Sequence, residues 1–84
     1  MRYSIEFAPS AARELRKLDS PIRLKLAFAI DALSRNPRPN GVTKLKAADA
    51  WRIRLGDYRI VYEIIDRRLA VMVLRVAHRR DVYR

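Results

Sequence analysis

The chain has 84 residues, half of them hydrophobic, which suits one domain with one modest core. The absence of cysteine excludes disulfides and thiolate zinc sites, and a single histidine argues against a histidine-based metal site. The net charge is +10, and 15 of the 19 basic residues are arginine, whose planar fork matches phosphate, so the first expectation is a polyanionic partner, nucleic acid or an acidic protein.

No run of about 18 apolar residues is present, so no membrane span is expected. The opening residues carry no long apolar stretch and no cleavage signature, and the expected location is the cytoplasm. Tyr3–Phe7 reads as a short strand. Pro9 then suits the first turn of a helix, where its missing N–H costs nothing. Ala12, Leu15 and Leu18 recur at helical spacing, with Arg13, Glu14, Arg16 and Lys17 facing outward. Asp19 and Ser20 interrupt. Ser20 and Pro21 are expected as N-cap and first helical residue of a second helix. Ile22, Leu26, Ala29, Ile30 and Leu33 form its apolar stripe, and Asn36-Pro37 stops it.

From Trp51 the hydrophobic period changes to two. Trp51, Ile53 and Leu55 alternate with Arg52 and Arg54. After Gly56-Asp57, Tyr58, Ile60, Tyr62 and Ile64 alternate with Arg59, Val61 and Glu63. Leu69–Val76 is nearly continuously apolar, which suits a central strand covered on both sides. No repeat or composition break divides residues 1–84, so a single domain is expected. The element order β-α-α-β-β-β predicts an α+β fold: an N-terminal strand and a helical hairpin packed on an antiparallel sheet of about four strands.

If Gly56-Asp57 is a two-residue turn, Leu55 pairs with Tyr58, Arg54 with Arg59, Ile53 with Ile60 and Arg52 with Val61. Directly paired residues share a face, so Arg52, Arg54 and Arg59 lie together, opposite Trp51. Like charges directly opposed destabilise a hairpin, which a sequence selected only for folding would tend to avoid. Three guanidinium groups on a rigid sheet could clamp a phosphate and neutralise charge developing on it. The bland alternative is a solvated polar face in which Arg52 and Arg59 pair with Glu63 or Asp57. The tail adds His78, Arg79, Arg80 and Tyr83, and the tyrosine could anchor the terminus or stack on a base. No pair of carboxylates, Gly-rich phosphate loop or serine or cysteine nucleophile setting is evident.

These residues resemble the RelE/ParE toxins of bacterial type II toxin–antitoxin systems over nearly the whole chain. The resemblance is carried by Lys44-Leu45-Lys46, by the block from Trp51 to Ile64, and by Val76-Ala77-His78-Arg79-Arg80-Asp81-Val82-Tyr83. In the RelE branch it implies an endoribonuclease using no metal or other cofactor, which enters the ribosomal A site on the small subunit and cleaves messenger RNA. An antitoxin protein holds it silent. The resemblance assigns catalytic roles to Arg52, Arg54 and Arg59, to Arg79 or its neighbour Arg80, and to Tyr83, with RNA contacts at Lys44, Lys46 and Arg80.

Some relatives carry lysine where this chain has Arg52 and Arg54. A guanidinium with a pKa above about 12 is a poor base near neutrality, which makes His78 the natural candidate for proton transfer. The alternative reading is the ParE branch, which has the same fold but inhibits DNA gyrase by protein contact. A nucleic-acid-binding module without activity, using Ser20–Arg35 as a recognition helix, ranks below both because the break before that helix is short.

Overall fold

The computed structural model describes residues 2–46 and 50–78. Strand β1 (Ser4–Phe7) leads into α1 (Pro9–Arg16), whose first residue is the expected proline. Helix α2 spans Ser20–Ala32. Its N-cap position falls on Asp19, extended at φ −61 and ψ 149, and no side chain caps it. Ser20 is therefore not the cap; it and Pro21 are the first two helical residues. Proline is tolerated there because the first four helical N–H groups have no intrahelical partner. Strands β2 (Thr43–Lys44), β3 (Ala50–Leu55), β4 (Tyr58–Ile65) and β5 (Ala70–His78) follow, with one 3-10 turn at Asp66–Arg68.

Among the described residues the sheet has five strands in the order β1-β5-β4-β3-β2. The fold is α+β as expected, with two differences. The additional strand β2 has only two exposed residues, too short for any periodic signal. In addition, β1 pairs with β5 in parallel, because the two helices carry the chain back across the sheet before β5 is made. The β3–β4 register is the one the alternation predicts, from Leu55 opposite Tyr58 to Arg52 opposite Val61. Gly56, at φ 61, sits in the first central position of the turn, where a two-residue hairpin favours glycine.

The core lies between the helices and one face of the sheet. Leu26, Ile30 and Leu33, with Ala11 of α1, pack against Ile60, Tyr62, Ile64, Val71, Val73 and Val76. Among the described residues the helices cover this face alone. The expectation that the last strand is covered on both sides is therefore corrected: Ala70 and Ala77 on the far face are buried because they are small, while Met72 and Leu74 are only partly buried.

Two local features shape the far end of β5. The β4–β5 ladder is regular from Ile65 opposite Ala70 to Tyr62 opposite Val73, then shifts by one residue, so that Val61 faces Arg75. This β-bulge inverts the inside–outside pattern of everything beyond it. Past the end of β1, α1 lies along the open edge of β5. Glu14 accepts a hydrogen bond from the Val76 N–H at 2.9 Å and from Arg75 Nε at 3.0 Å. Glu14 is thus half-buried rather than outward-facing, because it supplies the acceptor that a neighbouring strand would otherwise give.

Candidate nucleic-acid interface

Arg52, Arg54 and Arg59 share the face of the sheet opposite the helices. Their environments differ with their position across the sheet. Arg54 lies on β3 past the end of the short β2 and is exposed; Arg52, covered by Thr43 across the β2–β3 pair, is half-buried. Arg59 lies on β4, flanked by β3 and β5, and is only 4% exposed. Its neighbours across the two ladders are Arg54 and Ala77. The bulge decides this: without the shift, Val76 would stand opposite Arg59, and the smaller methyl of Ala77 leaves room for the guanidinium.

The same shift moves His78. It pairs with Tyr58, on the face that carries Ile60 and Tyr62, and its ring meets the Tyr58 ring edge-on at 5.3 Å between centroids. The structure therefore does not bring His78 to the arginine face. Lys44 is also turned away: it pairs with Trp51, and its Nζ sits 5.3 Å from the indole centroid. Lys46 is exposed beyond the end of β2. Arg79, Arg80 and Tyr83 lie outside the described residues. Trp51 is on the helix side as expected, packed against the core but only partly buried, since it sits near the sheet edge. Arg38 covers it from the loop after α2, with Cζ 5.3 Å from the ring centroid.

Two residues that sequence reasoning missed join the arginines. Gly41 and Thr43 line, with Arg52 and Arg54, a cavity of ≈ 220 Å³ on the arginine face. The only sequence signal was Gly41 itself, which takes φ 88 in the loop leading to β2. A larger opening of ≈ 530 Å³ lies at the β4–β5 turn. Its lining mixes Glu63 and Asp66 with Arg67 and Arg68, so it lacks the uniform positive charge a polyanion needs. The arginine face has the uniform positive charge that the larger opening lacks. It offers one buried, one half-buried and one exposed guanidinium on a sheet that holds their spacing.

The family model described as "ParE toxin of type II toxin-antitoxin system, parDE" matches residues 5–83. This chain belongs to that toxin family. Among its relatives, "Toxin RelG" of Mycobacterium tuberculosis is 38% identical, the match covering 100% of this chain and 99% of the relative. The "mRNA interferase toxin RelE" of Escherichia coli K12 is 32% identical over 99% of this chain and 92% of its own length. The toxin fold is shared as well. The RelBE2 toxin–antitoxin complex of Mycobacterium tuberculosis contains a chain that superposes with a TM-score of 0.80 at 34% identity, covering 93% of this chain and 99% of that one. The RelE–RelB complex of Pyrococcus horikoshii gives 0.83 at 26%, covering 94% and 97%. Among the described residues, no helix of this toxin is long and apolar enough to cross a membrane.

Proposed function

We propose that this toxin is an endoribonuclease that cleaves messenger RNA in the ribosomal A site. The observation that carries the reading is the arginine trio: three guanidiniums of graded burial on one sheet face, in a family whose RelE-named relatives are described as mRNA interferases. In the reaction, the ribose 2′-oxygen gives its proton to water and forms a bond to the adjacent phosphorus, while the bond to the 5′-oxygen breaks and that oxygen takes up a proton from water. The products are a 2′,3′-cyclic phosphate and a 5′-hydroxyl. The trigonal-bipyramidal state carries extra negative charge on phosphate oxygens. Arg59, withdrawn from bulk water, interacts with that charge in a low-dielectric setting, where a fixed donor is worth most. Arg52 and Arg54 position the strand. Arg79 and Tyr83 complete the site from the tail in this reading, with Arg80 and Lys46 as further RNA contacts. His78 and Lys44 take no part in it, since both face the other side of the sheet.

The partner that silences the toxin is an antitoxin protein. Related toxins are found in RelBE toxin–antitoxin complexes, and a net charge of +10 favours an acidic segment laid over the basic face. The second reading, gyrase inhibition, draws on the ParE name of the matching family model. Expressing the toxin without a partner and mapping messenger RNA 5′ ends separates the two. In-frame cuts inside translated codons support the ribonuclease; intact messages with accumulated double-strand DNA breaks support the gyrase poison.

A further inference from the structure

The loop between α2 and β2 is tied down at two consecutive residues. The Tyr62 hydroxyl, fully buried, donates to the Pro37 carbonyl at 2.7 Å. Next to it, Arg38 donates from Nη2 to Asp66 Oδ2 at 2.9 Å, while its guanidinium lies over Trp51. Tyr3 donates to the other carboxylate oxygen of Asp66 at 2.6 Å. These bonds, the Arg38 one foremost, hold the Asp66 carboxyl below the usual carboxylate range. The clamp thus joins the segment before β1, the loop, the edge of β3 and the β4–β5 turn. Three residues further on, the same loop supplies Gly41, and then Thr43, to the cavity containing Arg52 and Arg54.

Strand β2 holds that wall only weakly. Beside it, Val42 packs against the core and the Leu45 N–H donates to the Ala50 carbonyl at 2.9 Å. The strand itself has two exposed residues and buries no side chain of its own. We infer that Arg38, locked between Asp66 and Trp51, is a positioning residue that fixes β2 against β3 and so sets the width of the Arg52/Arg54 cleft. The inference rests on the RNA-cleaving reading of that cleft. An exposed ion pair contributes little to global stability, so the effect is local: it changes how RNA binds and leaves the melting temperature nearly unmoved.

The test uses Asp66→Asn in the full chain, with single-turnover cleavage of messenger RNA on programmed ribosomes and the emission of Trp51, the only tryptophan. Removing an acidic residue makes the toxin more basic, so a purely electrostatic effect would tighten binding to RNA. Positioning predicts the reverse: the half-saturating ribosome concentration rises on the order of fivefold, the equivalent of about one net hydrogen bond, while the maximal rate changes less. Trp51 emission shifts as Arg38 leaves the ring, and Asp66→Glu, which keeps the charge, recovers part of the binding. An unchanged or lowered half-saturation overturns the inference, whether or not the emission shifts. The control is Arg54→Ala. If it cleaves as well as wild type, the RNA reading of the cleft fails and takes the inference with it; if it is impaired while Asp66→Asn is not, the positioning role alone is refuted.

Discussion

Arg59 stands opposite Ala77 on one side and Arg54 on the other, so a buried guanidinium has a methyl group for one neighbour and a like charge for the other. Replacing Arg59 therefore does more than relieve the repulsion from Arg54. Truncating a side chain that is 4% exposed leaves a cavity under the sheet face. Arg59→Ala should therefore lose about 1–3 kcal/mol of stability along with on the order of 10²–10³ in cleavage rate. Arg54→Ala, at an exposed site, should stay within about 0.5 kcal/mol of wild type and still lose activity. Denaturant titrations run beside single-turnover cleavage check both. Wild-type cleavage by a folded Arg59→Ala would remove the arginine cluster from the mechanism.

His78 gives the reverse expectation. Its ring packs edge-on against Tyr58, on the helix side of the sheet. His78→Gln should cost less than about tenfold in rate, well short of the 10²–10⁴ that one acid–base group supplies. The pH–rate profiles of the two proteins should be the same. A loss of three orders of magnitude would mean that the imidazole reaches the RNA despite the register.

Burial pushes Tyr62 up to about 12 from its ordinary 10.0, with Arg38 pulling weakly the other way. The folded value lies above the unfolded one, so the contribution of the neutral hydroxyl is complete below pH 10 and is lost as pH rises toward 12. Thermal unfolding should show stability falling over that window. Tyr62→Phe should lose about 1 kcal/mol at neutral pH, since the Pro37 carbonyl loses its donor, and should flatten the alkaline decline. A decline of equal steepness in Tyr62→Phe would place its origin elsewhere.

Glu14 is the acceptor for the open edge of β5. Glu14→Ala leaves the Val76 N–H with no acceptor from α1 and should cost about 1–3 kcal/mol. Glu14→Gln keeps a carbonyl oxygen there and should recover more than half of the loss. Equal destabilisation by both would show that the charge pair with Arg75, rather than the edge hydrogen bond, is what matters.

Elements whose causes are local can be read from the residues alone. Two-residue alternation on either side of Gly56-Asp57 sets the hairpin register, so the shared face of Arg52, Arg54 and Arg59 is legible in the residue pattern alone. The apolar stripe of α2 is legible for the same reason: Leu26, Ile30 and Leu33 repeat at helical spacing and are buried. The remaining features follow from how the elements pack. The bulge between β4 and β5 leaves no composition signal, because its cost and benefit lie in packing Val76 into the core while Ala77 meets Arg59. That one-residue shift removed His78 from the arginine face. The two-residue β2 is too short to show a period, while the parallel pairing of β1 with β5 and the Tyr62 and Asp66 tethers each join residues far apart in the chain. Such contacts are chosen by the free energy of the assembled core, which no local pattern of residues encodes.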